Sequence, residues 1–194
     1  MISAGSLEYA HARIWARHGQ RPGETLWRRI ETTRDLAAVL ELARGSALAC
    51  WIEGIGPAAG AHGIEQALRR HWRERVSEVA AWMPPAWAAS IEWCAVLADL
   101  PAWQHLARGG ALLPWMAADP RLRGMPDAGD AGDSRKGGPP EAQAMRTALE
   151  MARAGPQDLL PLWRAEWRRR LPAAAASQGI DSHLLPLLVQ HARA

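Results

Sequence analysis

Two adjacent prolines, Pro84 and Pro85, separate two long stretches of helical periodicity. A proline has no amide to donate and disfavours helix in the residue before it, so the pair forces a corner. Before the corner, Ile64, Leu68, Trp72, Val76, Val79 and Met83 recur at steps of three and four. That spacing predicts an amphipathic helix over about 64–83, with Gln66, Arg69, Arg70, Arg73, Glu74 and Ser77 on its polar side. Glu65 and Arg69 stand four apart and can pair, worth about 0.3 kcal/mol if exposed. After the corner, Ala86 to about Ala98 is apolar nearly all round, as expected of a helix in the centre of a bundle. Asp99 and Pro101 suit a helix restart, as cap and early helical residue, and Gly109-Gly110 ends that segment.

Upstream, Leu7, Ala10, Ile14 and Arg17 follow helical spacing, with Tyr9, Arg13 and Ala16 as a neighbouring stripe and Gly19 as the stop. Pro22 can open a short helix through Leu26, Trp27 and Ile30. Thr32 or Thr33 is the expected cap of a third helix carrying Leu36, Val39, Leu40 and Ala43. Ser46 is the expected cap of a segment with Leu48, Trp51 and Ile52. Gly54 to Gly63 reads as a loop, and Leu112 to Met116 as one further turn.

From Ala118 to Pro140 the composition turns to Gly, Pro, Asp and Ser, which predicts a linker or surface loop. Three shorter patterns follow: Glu141 to Arg153, Pro156 to about Arg170, and a leucine-rich stretch from near Asp181. No strand and no fixed-period repeat is evident. The expected class is all-α, a multi-helix bundle over 1–117, a linker over 118–140 and C-terminal helices over 141–194.

Composition narrows the function classes. The 194 residues carry a formal charge of +3, nearly all of the positive charge from arginine, since Lys136 is the only lysine. So small an excess gives little support to nucleic-acid binding. No apolar run approaches the ~20 residues a spanning helix needs, and the start lacks the pattern of an export signal. A cytoplasmic protein is expected, at most peripheral to a membrane. Cys50 and Cys94 form no C-x-x-C pair and read as buried free thiols.

No residue set announces catalysis or a metal. His11 and His18 stand seven apart without a third ligand, so no zinc site is expected. Cys94 and His105 make a conceivable thiol–imidazole pair, but no orienting group or oxyanion site is marked. No phosphate-binding glycine loop is present. No cofactor and no small-molecule substrate are expected. The candidate partner-binding residues are Arg69, Arg70 and Arg73, together with Trp115, because Trp and Arg are enriched at interface hot spots. Arg164, Arg168, Arg169 and Arg170 form a second basic run. Of the eleven tryptophans, Trp72, Trp87, Trp103 and Trp163 are expected in the core. Trp15, Trp27, Trp82 and Trp115, near helix ends, are the ones expected to be exposed.

The start LEYAHARIWARHG, with Tyr9, Ala12 and Arg13, resembles the N-terminal helix of the V-type ATPase socket family, the C-type subunits of bacteria and archaea and d-type subunits of eukaryotes. The block SIEWCAVLADLPAWQHLARG is similar to that family's helix around an Asp-Leu-x-x-Leu pattern, here Asp99, Leu100 and Trp103. TTRDLAAVLELARG lies between them in the family's order, so the resemblance spans about residues 6–115. It implies an all-helical fold of about one lobe, with extra C-terminal helices. It also implies a non-catalytic role in an ion-transporting rotary complex, seating the rotor stalk on the membrane ring. Tyr9, Arg13 and Asp99 are then family-motif positions, and the partners are other protein subunits. The alternative is a cytosolic helical adaptor or nucleic-acid-binding regulator using the basic helix faces. An enzyme using Cys94 or a histidine cluster is a third class.

Overall fold

The structure, a computed structural model, describes residues 5–119, 121–122 and 159–173. The regular elements among those residues are all helices, with no strand among them. The linker expected over 118–140 lies, beyond Leu122, outside the described residues, as do the patterns expected at 141–153 and from 181 onward. The chain divides into two compact units, Met1–Pro85 and Ala86–Ala194, so the prolines mark the junction.

The first unit contains α1 (Leu7–His18), α2 (Glu24–Thr32), α3 (Leu36–Arg44), a 3₁₀ turn (Ala49–Trp51) and α4 (Ala61–Trp82). Ser6 caps α1 by accepting from the Tyr9 amide at 3.2 Å. The cap of α3 is Asp35, whose Oδ2 accepts from the Ala38 amide at 2.9 Å. Thr32 and Thr33 do not cap it. Their hydroxyls donate back to the Arg28 and Arg29 carbonyls and finish α2 instead. Ser46 donates to the Ala43 carbonyl and accepts from the Leu48 amide, which folds the expected fourth helix into a tighter turn. Gly54 takes a positive φ of 76°, where a side chain would be strained.

The helix before the corner forms, but α4 starts earlier than expected and turns a different face inward. Ala67, Arg69, His71, Val76, Ala80 and Trp82 are buried, while Leu68 is exposed. The reason lies in its length of 22 residues. Successive turns meet different neighbours, so no single stripe serves the whole helix. At one end Ala67 joins Leu40 and Ile55 in a core that Leu36, Ile52, Ala59 and Ile64 pack against. In the middle, His71 Nδ1 donates to the Trp51 carbonyl at 2.7 Å. At the far end α4 meets α1.

The second unit contains α5 (Pro85–Trp93), whose first residue closes the preceding unit, then a 3₁₀ segment (Cys94–Asp99), α6 (Leu100–Ala107), α7 (Pro114–Ala118) and α8 (Leu159–Arg169). The expected continuous helix over 86–98 therefore changes pitch at Cys94. Pro101 lacks the amide that would extend an α-helical ladder back to Leu97, and i→i+3 bonds fill the segment ahead of it. Gly109 takes φ 83° and turns the chain after α6.

A reciprocal tryptophan clasp holds α8 to the end of α5. Trp93 Nε1 donates to the Trp163 carbonyl at 3.1 Å, and Trp163 Nε1 donates to the Trp93 carbonyl at 3.2 Å. Both rings are buried, so each would otherwise leave an indole donor without water. Trp167 stacks on Trp163 with centroids 6.4 Å apart. The Arg170 guanidinium lies 4.3 Å from the centre of the Trp93 ring. Glu166 accepts from both Arg169 and Arg170, and the Arg169 bond foremost holds its carboxyl below the usual range. Trp163→Phe removes one donor and leaves a gap, so a loss of about 2–4 kcal/mol is expected in urea unfolding followed by near-ultraviolet circular dichroism. A loss below about 0.5 kcal/mol, the scale of neutral surface changes, would contradict the clasp.

Candidate functional site

Helix α1 is turned inside out relative to ordinary amphipathicity. Its small inward residue is Ala10, which is 2% exposed. The other groups drawn towards α4 are arginines, of which Arg13 stays exposed and Arg17 is half-buried. The Arg13 guanidinium sits 4.4 Å, and that of Arg17 4.7 Å, from the centre of the Trp82 ring on α4. Arg13 also donates to the Tyr9 hydroxyl at 2.7 Å. Arg17 donates to Glu78 at 2.5 Å, and Arg75 donates to the same carboxylate at 2.9 Å. The Arg17 hydrogen bond is the main reason that the Glu78 carboxyl is held below the usual carboxylate range. Two guanidinium groups over one buried indole form a cation–π clamp, worth about 0.5–1 kcal/mol per contact where, as at Arg13, the cation is exposed.

The outward side of α1 carries the larger apolar groups. Leu7 is 46%, Ile14 43% and Trp15 58% exposed. The stripe expected to join Leu7, Ala10, Ile14 and Arg17 is therefore split: Ala10 and Arg17 turn towards α4, and Leu7 and Ile14 face out. Trp15 is flanked along the helix by two imidazoles. Its Nε1 donates to His11 Nε2 at 2.5 Å, and its ring meets the His11 and His18 rings edge-on at 6.0 and 5.2 Å. Arg21 Nη1 lies 3.2 Å from His18 Nε2.

The other sequence candidates sit elsewhere. Arg69 does not lie on a solvated face: it is 5% exposed and donates to Glu65 at 2.5 Å. Arg70 is exposed, 3.9 Å from Glu74, and Arg73 is half-buried. Trp115 is half-buried with its indole nitrogen inside. Trp82, expected to be exposed, is buried; the exposed tryptophans are Trp15 and Trp27. The second basic run is not a free face either, since Arg170 is tucked under Trp93 and tied to Glu166. Asp99 occupies the cap position of α6, but its carboxylate does not cap the helix. It is buried and lies 3.9 Å from Arg121.

The reactive-group candidates Cys94 and His105 each have a local backbone partner. Among the described residues no group of three His, Cys, Asp or Glu side chains is placed to hold a metal ion. Cys94 is buried and donates to the Ser90 carbonyl at 3.7 Å. Burial pushes its thiol up to about 12, with a Trp167 side-chain hydrogen bond pulling the other way. His105 is exposed and its Nε2 donates to the Ala111 carbonyl at 3.0 Å. With Pro101, Gln104, Arg108 and Gly110 it lines an open depression of about 430 Å³. Among the described residues no helix is long and apolar enough to cross a membrane. No protein-family model, no curated protein and no solved structure matches the chain.

Sequence reasoning missed Trp82 as the platform of the clamp, because its position near a helix end suggested exposure. The available signal was the four-residue step from Arg13 to Arg17 beside Ala10. That step places both guanidiniums on the one side of α1 where a small residue allows close approach.

A raised thiol pKa makes folding pH-dependent in a defined direction. The stabilisation is full below the unfolded thiol value of about 8.5 and is lost as pH rises through about 12, because only the unfolded chain can ionise in between. Cys94→Ala is expected to flatten the alkaline fall in stability between about pH 9 and 11, measured by urea unfolding. An unchanged slope would mean that Cys94 ionises normally in the folded chain.

Proposed function

We propose that this chain is a non-catalytic helical component of a V-type ATPase-like rotary complex, one of the parts that link the rotor stalk to the membrane ring. The observation that carries the proposal is the pair of short matches to the socket family on an all-helical chain. Tyr9, Ala12 and Arg13 fall on α1, and Asp99, Leu100 and Trp103 fall at the start of α6. Each set has a structural task in its own unit. Tyr9 and Arg13 join the clamp on Trp82, while Trp103 is buried and Asp99 faces Arg121. A docking role is also favoured by the chemistry: the apolar groups of α1 face outward, and the one cysteine with a strongly raised pKa is held as a thiol. The finer fold, about one lobe of the socket type, belongs to the same proposal.

The reading that uses Arg69, Arg70 and Arg73 as a nucleic-acid face is weaker. Burial of Arg69 against Glu65 removes it from that surface, and Glu74 lies beside Arg70. Phosphate binding draws on unpaired, solvent-facing cations.

Affinity isolation of the tagged chain from native membranes, in a detergent that keeps the rotary complex whole, tests the proposal. Stalk or ring subunits are expected to co-isolate in constant ratio. Recovery of the chain without them, while the complex is intact in the same extract, would contradict it.

A further inference from the structure

The outward side of α1 has the spacing of a helix-pairing seam. Leu7, His11, Ile14 and His18 follow steps of four, three and four, with Trp15 beside them. That is the alternation by which one helix seats knobs into another, with apolar groups at one seam position and imidazoles at the other. Leu7, His11, Ile14, Trp15 and His18 are all exposed, and the indole is held in place by its bond to His11. A rigid tryptophan at the middle of an exposed apolar strip is the kind of group that anchors an interface.

The charge around the seam selects the occupant. Arg13, Arg17 and Arg21 lie on α1 or just after it, with Glu8 the one acidic residue of the helix. Among the described residues, Arg13 bonds the Tyr9 hydroxyl and Arg21 meets His18, neither facing a carboxylate. The single carboxylate at Arg17 is Glu78, already shared with Arg75. A second copy of this seam would set arginine and imidazole against arginine and imidazole, which opposes self-pairing. A membrane surface is poorly matched by so few apolar groups on a helix of 12 residues.

From this arrangement we infer that the Leu7–Ile14–Trp15 seam of α1 is a docking site for an amphipathic helix of a protein partner whose flanking positions carry carboxylates. The inference rests on the docking role proposed above and names the surface and the chemistry of what it docks. Ile14 and Trp15 insert into the apolar stripe of the partner. Arg13 and Arg21 meet its acidic flanks, which speeds encounter and fixes orientation.

The test uses the full chain and a dye-labelled synthetic helix of about three heptads, leucine at the seam and glutamate at the flanks. A twin peptide carries lysine in place of glutamate. Fluorescence anisotropy is expected to show the acidic peptide binding at least about tenfold more tightly than the lysine twin. The Ile14→Ser, Trp15→Ala double variant, with circular dichroism confirming its fold, is expected to weaken that binding by about tenfold or more. Arg21→Gln is expected to narrow the gap between the two peptides. Equal binding of the twins, or an unaffected double variant, would overturn the inference. So would a dimer that Ile14→Ser dissociates in sedimentation, or capture by anionic vesicles with neither peptide bound. The two proposals fail separately. Co-isolation with stalk or ring subunits that survives in the double variant sinks the seam alone. Acidic-helix binding without any co-isolation sinks the rotary assignment alone.

Discussion

The position of Trp82 decides what α1 presents to the outside. A buried indole on α4 accepts the guanidiniums of Arg13 and Arg17, one turn apart, on its ring. Each cation–π contact adds a modest attraction, and Glu78 fixes the second arginine by a direct bond. With both guanidiniums drawn onto the Trp82 ring, Arg13 still open to solvent, Leu7, Ile14 and Trp15 lie on the outer side of the helix. Burying those three instead would rotate the helix, strip both arginines from the ring and leave Trp82 without its cations. The exposed apolar side and the clamp therefore belong to one and the same orientation of α1.

The second unit relies on a different device. Trp93 and Trp163 are 70 residues apart in sequence, and each satisfies its indole donor on the other's backbone. The exchange fixes both position and rotation of α8, because two bonds in opposite senses allow little sliding. Arg170 and Glu166 close over the outside of the same junction. The consequence for chemistry is that Cys94, at the end of α5, lies in the apolar interior as an ordinary thiol. Between them, the clamp and the clasp use much of the tryptophan and arginine chemistry for holding helices together.

Much of the helix layout was legible in the sequence, because prolines, glycines and caps act locally. The helix break before Pro85, the stops near Gly19 and Gly45, and the helix around Leu159 to Arg169 all follow from short-range rules. The finer choices did not. Thr33 and Asp35 are both competent caps, and the aspartate won because the threonine hydroxyls bond back into α2. The faces of α1 and α4 were read from periodicity, which marks a stripe but not the neighbour that the stripe meets. Arg69 scored as polar and exposed, yet Glu65 at four residues' distance makes its burial tolerable. The Trp93–Trp163 exchange is a long-range event with no local signal. Among the site candidates, Arg13 proved to be a structural partner of Trp82 and Tyr9 of Arg13, while Trp15, expected to be exposed near a helix end, is the most exposed of the large apolar groups among the described residues.

The orientation of α1 is the claim on which the functional account turns, and thiol accessibility measures it directly. Single cysteines placed by Ile14→Cys and Ala10→Cys, in a background lacking Cys50 and Cys94, should differ sharply in labelling rate under native conditions. The account predicts fast labelling at position 14 and strong protection at position 10, since Ile14 faces outward and Ala10 is sealed against the fold. Fast labelling at 10 with protection at 14 would mean that the apolar side packs inward, and the clamp on Trp82 would be wrong.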